Sequence, residues 1–330
     1  MNRFRWLMVC MAAGVGVSAW GQEAIELKVN FTPGAYVVTQ DAATESSVDA
    51  GGPPTIIRTR MTVVMDMAVA RPDAAGNRDV TITYRRFLME QSAGGKDDTA
   101  RVKFDSADEA MTKDPAGRMI LAMIGKTISM TIDAKGKVSH VTGFDELIDA
   151  MAKGMDVQKQ ATLKQSLSDA MIQQNFGHFR SLPDRPVVRG DSWEAATTFS
   201  LPMLEAMQFT QTCTLADVKD GVATIAVKAT LKDGGDTTDG TDGDDSNDGD
   251  DSNGDSAAPA TPANIRDMAM TIEGTMHMDI ATGMTQSAAT TVKGTVIMLS
   301  PVGNEMKVTI DGAHKLTFEK GVYKPAEAKR

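Results

Sequence analysis

FDELIDAMAKGMDVQKQATLKQSLSDAMIQQNFGHFRSLPDRPVVRGDSW, residues 144–193, is the one long stretch of this chain with helical periodicity. Phe144, Leu147, Ile148 and Met151 fall at offsets of 0, 3, 4 and 7, which lines one face of a helix. Thr142 and Gly143 stand before it as N-terminal residues, and Asp145 and Glu146 suit the positive end of its dipole. Beyond Gly154, Asp156 can cap a second helix in which Leu163, Leu167, Ala170 and Met171 repeat the spacing. Ile172 and Phe176 widen that stripe, Gly177 offers a stop, and Pro183 and Pro186 mark extended chain. The stretch predicts a helical pair packed on a sheet.

On both sides of it the apolar residues recur at every second position. Met61, Val63, Met65, Met67 and Val69 alternate with Thr62, Val64, Asp66 and Ala68, as in a half-buried strand. Upstream, strands are expected at Ile25–Asn30, Tyr36–Gln40, Ile56–Ala70, Arg78–Gln91, Ala100–Ser106, Thr127–Asp133 and Lys137–Val141, with a polar loop over Asp41–Pro54. Downstream they are expected at Trp193–Phe199, Gln208–Val218, Val222–Lys232, Asn264–Ile280, Met284–Leu299 and Met306–Phe318. Turns are expected at Asp133-Ala134-Lys135-Gly136, Asp220-Gly221 and Asp311-Gly312. The fold class expected is α+β, mostly β: curved antiparallel sheets in two similar halves, joined and covered by a central helical pair. The parts are a β-rich half at 22–143, a helical connector at 144–180 and a second β-rich half at 181–330.

Residues 1–21 read as a signal peptide, with Arg3 and Arg5 first, an apolar run from Trp6 to Trp20, and Ala19-Trp20-Gly21 as a small-x-small cleavage site. The run is short for a bilayer span, and no later stretch is apolar enough for one. Cleavage before Gln22 is expected, leaving an exported protein, periplasmic or extracellular. Cys10 goes with the leader, so Cys213 is left without an intramolecular disulfide partner, and a buried inert thiol is expected. The formal charge of −10 is uneven. Ten of the 44 acidic residues sit in Asp233–Ser256, which holds no Lys or Arg. Residues 233–264 contain no apolar side chain larger than Ala and are expected to be a disordered acidic insert. The rest is nearly neutral, which argues against a nucleic-acid surface.

Asp244, Asp248, Asp250 and Asp255 fall at positions 1, 5, 7 and 12 of an EF-hand-like calcium register. Position 12 is an Asp where such a loop prefers Glu, and no helix flanks it, so a solvated acidic loop is the competing explanation. Gly190-Asp191-Ser192 with the distant Asp311-Gly312-Ala313-His314 resembles the GDSL-type hydrolases, which makes a Ser192 esterase one alternative. No Gly-x-Asn-Asp block accompanies it. Met276 and Met278 supply the thioethers that Cu(I) accepts, a second alternative, although His277 points to the opposite face of a strand. Methionines repeating every second residue also serve as core filler or as the lining of an apolar cavity. His140, His178, His277 and His314 have no metal-ligand spacing.

Several short motifs together resemble a family of secreted bacterial proteins known as domain of unknown function sixty-two sixty-three. They are Phe104-Asp105-Ser106, Gly125 before Thr127–Asp133, Gly136-Lys137-Val138, and Val141-Thr142-Gly143 leading into the connector. Leu182-Pro183 with Val187-Val188-Arg189-Gly190-Asp191-Ser192-Trp193 is the most specific piece. The resemblance implies an exported, β-rich protein and brings no catalytic residues with it. Gly190, Asp191, Ser192 and Trp193 read as a structural motif: a sharp turn, local backbone bonds and a large side chain opening a strand. The protein is therefore expected to be a monomeric, non-enzymatic binding or scaffold protein, without a cofactor, that offers an apolar, lipid-like ligand a greasy face or cavity.

Overall fold

The computed structural model describes residues 24–28, 31–94, 100–108, 115–133, 136, 138–153, 157, 160, 182–199, 207–233, 264–299 and 304–324. Residues 1–21, most of the acidic insert and most of the expected second helix lie outside them. Among the described residues there are twelve strands and two helices. The first group is β1 (Gly34–Asp49), β2 (Thr55–Val69), β3 (Arg78–Gly94), β4 (Ala100–Asp105), α1 (Pro115–Leu121), β5 (Thr127–Ile132), β6 (Val138–Thr142) and α2 (Phe144–Ala152). The second is β7 (Ser192–Phe199), β8 (Met207–Lys219), β9 (Val222–Asp233), β10 (Asn264–Asp279), β11 (Met284–Leu299) and β12 (Glu305–Lys320).

All twelve strands join one antiparallel sheet in the order β6-β5-β3-β2-β1-β12-β11-β10-β9-β8-β7. Each run of strands is a meander, and the two meet where β1 pairs with β12, from Tyr36↔Lys320 to Asp49↔Lys307. β3 is long enough to take two partners on one side: Leu88–Ala93 pairs with β4 and Arg78–Thr83 with β5. The handover coincides with a bulge, since Val64 opposes Arg86 while Met65 opposes Tyr84.

Turn chemistry fixes several hairpins. Asp220 and Gly221 take φ of 52° and 77°, as a two-residue connection between β8 and β9 requires. Between β2 and β3, Asp73 Oδ1 accepts hydrogen bonds from the Ala75 and Asn77 amides at 2.9 and 2.8 Å. Between β10 and β11, Asp279 Oδ1 accepts from Thr282 N at 2.8 Å.

Three sequence expectations need correction. Residues 41–49 are not loop, because β1 runs on to Asp49 with β2 on one side and β12 on the other. Asp311-Gly312 is not a turn but lies mid-strand in β12, paired continuously with β1 and β11. In both places ladders on two sides outweigh local turn preference. Among the described residues of the expected strand Ile25–Asn30, 25–28, the pairing is an isolated bridge from Ile25 to Val187. Helix α1 was not anticipated.

Apolar side chains alternate inward along the strands and form three clusters. The first joins Tyr36 and Val38 of β1, Met67 of β2, Val80 and Ile82 of β3, and Met130 and Ile132 of β5, together with Phe144, Leu147 and Ile148 of α2. The second holds Leu27, Val187, Cys213, Leu215, Ile225, Met276 and Met278. Leu182 and Ala288 pack against both. Met268, Met270 and Val296 make the third.

Helix α2 is placed by its first residue. Gly143 is the N-cap at φ 82°, and a Cβ built there would collide with the Thr127 carbonyl oxygen on β5. Only glycine fits a backbone both left-handed and so close to its neighbour. Gly143→Ala is expected to lower stability by about 2 kcal/mol through this strain. Leu147→Ala should cost about 3 kcal/mol through the cavity it leaves. Denaturant midpoints read both, and unchanged midpoints would show that α2 is not anchored this way.

Candidate functional site

Directly opposed residues of an antiparallel pair point to the same face, so the ladders define rows that cross the sheet. One row runs Phe104, Met89, Met61, Ala42, His314, Thr290, Gly274, Val227, Cys213, Trp193, from β4 to β7. Ten strands contribute to it and none supplies a charged side chain. Toward one end of the sheet the next row on this face includes Val63, Gln40, Leu316, Ala288, Met276, Ile225 and Leu215. Toward the other end come Thr59, Thr44, Gly312, Val292, Ile272 and Ala229. This is the face that carries the three apolar clusters.

The intervening residues put charge on the opposite, outer face. Arg58 Nε lies 2.8 Å from Glu45 Oε2, Lys103 Nζ 3.0 Å from Glu90, Lys228 Nζ 3.0 Å from Glu273 and Lys293 Nζ 3.4 Å from Asp311. Such exposed pairs add little stability, but cross-strand matching of opposite charges supports the register.

At mid-sheet a groove of about 670 Å³ spans five strands, bordered by residues 41–43, 60–62, 273–275, 289–291 and 313–315. Its inner-row members are Met61, Ala42, His314, Thr290 and Gly274. Small side chains leave the space. A Cβ at Gly274 would come within 2.6 Å of Thr290 Cγ2, and one at Gly294 within 2.6 Å of Met270 Cγ, so both positions sit hard against a neighbouring strand. A second recess of about 380 Å³ adjoins Leu231, Met270, Gly294 and Ile310.

His314 is the one imidazole in the inner row. Its Nε2 is shut off from water and has no hydrogen-bond partner among the described residues. Burial pushes its pKa down, partly opposed by the Asp41 carboxylate, so the ring is neutral at pH 7. Asp41 itself accepts a 2.6 Å hydrogen bond from Thr62 Oγ1.

The structure does not bring Ser192 and His314 together. Ser192 opens β7 at the sheet's end, five positions from β12, and its row lies on the outer face. Its hydroxyl is 2.8 Å from Thr214 Oγ1. Met276 and Met278 are buried side by side in the second cluster, where Thr285 Oγ1 donates to Met276 Sδ at 3.7 Å. His277 faces away from them, with Nδ1 3.3 Å from Thr224 Oγ1. Asp244, Asp248, Asp250 and Asp255 lie outside the described residues, as does His178. Among the described residues no three His, Cys, Asp or Glu side chains converge in a way that could hold a metal ion. From sequence His314 reads only as part of an esterase-like block or as an isolated imidazole, and the groove does not show, although the inward alternation of Ile310, Gly312, His314 and Leu316 was there to be read.

Two motifs do local structural work. In Phe104-Asp105-Ser106, the phenyl ring meets Phe87 edge-on at 5.9 Å, Asp105 takes Arg86 Nη2 at 2.8 Å, and Ser106 Oγ accepts from Phe87 N at 2.9 Å. Together they fasten the end of β4 beside the β3 bulge. Beside it Gly125, at φ 79°, donates to the Tyr84 carbonyl at 2.8 Å. In the other motif, Gly190 takes φ 92° and donates to the Leu215 carbonyl at 2.8 Å, and the Asp191 carbonyl accepts from Leu215 N at 2.9 Å. Asp191 Oδ2 receives Val188 N at 3.2 Å and Arg185 Nη1 at 2.9 Å. Trp193 packs on the second cluster.

These two motifs fall within residues 75–285, which match the model of a family described as a family of unknown function, DUF6263. The chain belongs to that family. No curated protein matches the sequence of this DUF6263 member. Among solved structures it is similar to one of lipid–protein interactions in lipovitellin, at 11% identity and a TM-score of 0.48, covering 91% of this chain. The chain spans about a quarter of the lipovitellin chain, 26%. It is also similar to an outer-membrane channel from Pseudomonas putida F1, at 8% identity and a TM-score of 0.22, covering 88% of this chain and 97% of that one. The Acinetobacter baumannii outer-membrane protein Omp33 matches at 7% identity and a TM-score of 0.13, over 88% and 98% of the two chains. No helix among the described residues is long and apolar enough to cross a membrane.

Cys213 is fully buried, and burial pushes its thiol up to about 11. It should resist alkylation at pH 8 in the folded protein and react on unfolding, as followed by peptide mass spectrometry; rapid native labelling would contradict its placement. The Arg86 hydrogen bond holds Asp105 below the ordinary carboxylate range. The stability this contributes is complete at neutral pH and is lost as pH falls through the depressed pKa. Arg86→Leu is therefore expected to lower the denaturation midpoint at pH 7 and to converge on the wild type in acid.

Proposed function

We propose that this protein acts outside the cytoplasm as a binding protein that holds an apolar, lipid-like molecule on the inner face of its sheet. The observation that carries this is the row from Phe104 to Trp193, which crosses ten strands without a charge and opens at its middle into a groove of about 670 Å³. That volume falls in the range of sites that enclose small molecules. Export is supported by the leader-like residues 1–21. The two six-strand meanders act as similar halves, and helix α2, the described part of the connector, lies across the greasy side. The burial of Phe144, Leu147 and Ile148 of α2 among inner-face residues of the first half supports that arrangement.

A membrane-spanning barrel is disfavoured by the same alternation. Such barrels turn apolar residues outward to lipid, whereas here the outer face carries the ion pairs of Arg58, Lys103, Lys228 and Lys293. An esterase would need Ser192 beside an imidazole base, and Ser192 pairs with Thr214 instead.

The fluorescent probe N-phenyl-1-naphthylamine tests the proposal. It is expected to bind the purified protein and to be displaced by alkyl-chain competitors, with co-purified apolar molecules visible in native mass spectrometry. Ala42→Phe, on the inner row, should weaken probe binding about tenfold by filling the groove, while Ser47→Phe, on the outer face of β1 and away from the groove, should leave it unchanged. No probe binding, or the reverse pattern for the two variants, would overturn the assignment.

A further inference from the structure

Within the groove, one polar atom is out of keeping with its surroundings. His314 Nε2 is enclosed, has no partner among the described residues, and belongs to a ring whose row neighbours are Ala42 and Thr290. A buried polar atom left unpaired destabilises a fold, and one that persists at the wall of a groove is accounted for by a partner that arrives with a ligand. The atom is covered in this conformation, so the ring has to turn toward the groove for a ligand's polar group to pair with it.

The chemistry of the partner follows from the ring and its row. A neutral imidazole offers Nε2 as donor or as acceptor according to its tautomer, and a hydroxyl group satisfies either. An ionised head group would need an opposite charge. None stands among the inner-row groove residues Met61, Ala42, His314, Thr290 and Gly274; the bordering Asp41, Arg60, Glu273 and Lys315 alternate to the outer face. Bringing a lone charge into such a row is unfavourable. We infer that the groove takes an uncharged, hydroxyl-bearing lipid, whose hydroxyl pairs with His314 Nε2 while its chain lies along the apolar inner face. This rests on the apolar-ligand function proposed above and adds the class of ligand.

Displacement of N-phenyl-1-naphthylamine by 1-decanol, 1-chlorodecane and decanoate, in the wild type and in His314→Leu, separates the two ideas. Decanol is expected to displace the probe from the wild type at roughly tenfold lower concentration than the other two, the gain of one buried hydrogen bond. His314→Leu should bind the probe still and lose the preference. Equal displacement by all three in both proteins would remove the role of His314 and leave apolar binding standing. Preference for decanoate would overturn the uncharged class. Failure of the wild type to bind any probe would remove the parent function, and this inference with it. Nitrogen-15 spectra of histidine-labelled wild-type protein give an answer independent of the variant: decanol should shift one imidazole Nε2 resonance, and no shift at saturating decanol would overturn the pairing.

Discussion

Fourteen consecutive residue pairs between β1 and β12 hold two six-strand meanders in a single register. Everything on the inner face depends on that alignment. The side-chain period of a strand is two, so a slip of one residue at this seam would turn the apolar set of one meander toward the charged set of the other. Clusters on either side would then lose their shared packing through Leu182 and Ala288. The outer pairs of Glu45 with Arg58 and of Asp311 with Lys293 lie in the ladders on either side of the seam, where each acid, opposite the other across β1 and β12, is neutralised by a base from the next strand.

A sheet this wide cannot present a uniform greasy surface without inviting aggregation, and the inner face is not uniform. Its first two clusters are closed by α2, by Leu27 and by Val187. Its middle is thinned by Ala42, Thr290, Gly274 and Gly312, which make room where packed cores normally have none. Glycine serves here for two different reasons. At Gly143 the backbone is left-handed and pressed on β5, whereas at Gly274 and Gly294 the conformation is ordinary and only the closeness of the next strand excludes a side chain.

Much of the fold was legible because period-two alternation is a strong signal over long strands: Met284–Leu299 was read to the residue, and the helix starting at Phe144 was placed with its glycine cap. The errors share one physical cause. Asp41–Asp49 and Asp311-Gly312 look like turns locally, but their conformation is decided by partners some 270 residues away in the chain, which no local window contains. The site was hidden for the same reason. His314 appeared isolated because Ala42 and Met61 reach it only through the sheet, and a groove made by missing side chains leaves no motif. The family motifs were easier to read, since Asp105 with Arg86 and Asp191 with Val188 act over short spans.

The central strand pair also sets an order of events during synthesis. Among the described strands β1 emerges from the ribosome first and its neighbour on one side last, so the first meander must wait with a long open edge until residues 305–320 have been made. An unpaired edge of sixteen residues is a template for pairing with other chains. Vectorial growth thus makes β12 the latch of the described sheet, and a chain cut short before it would keep the first meander and five strands of the second yet expose the β1 edge to its neighbours.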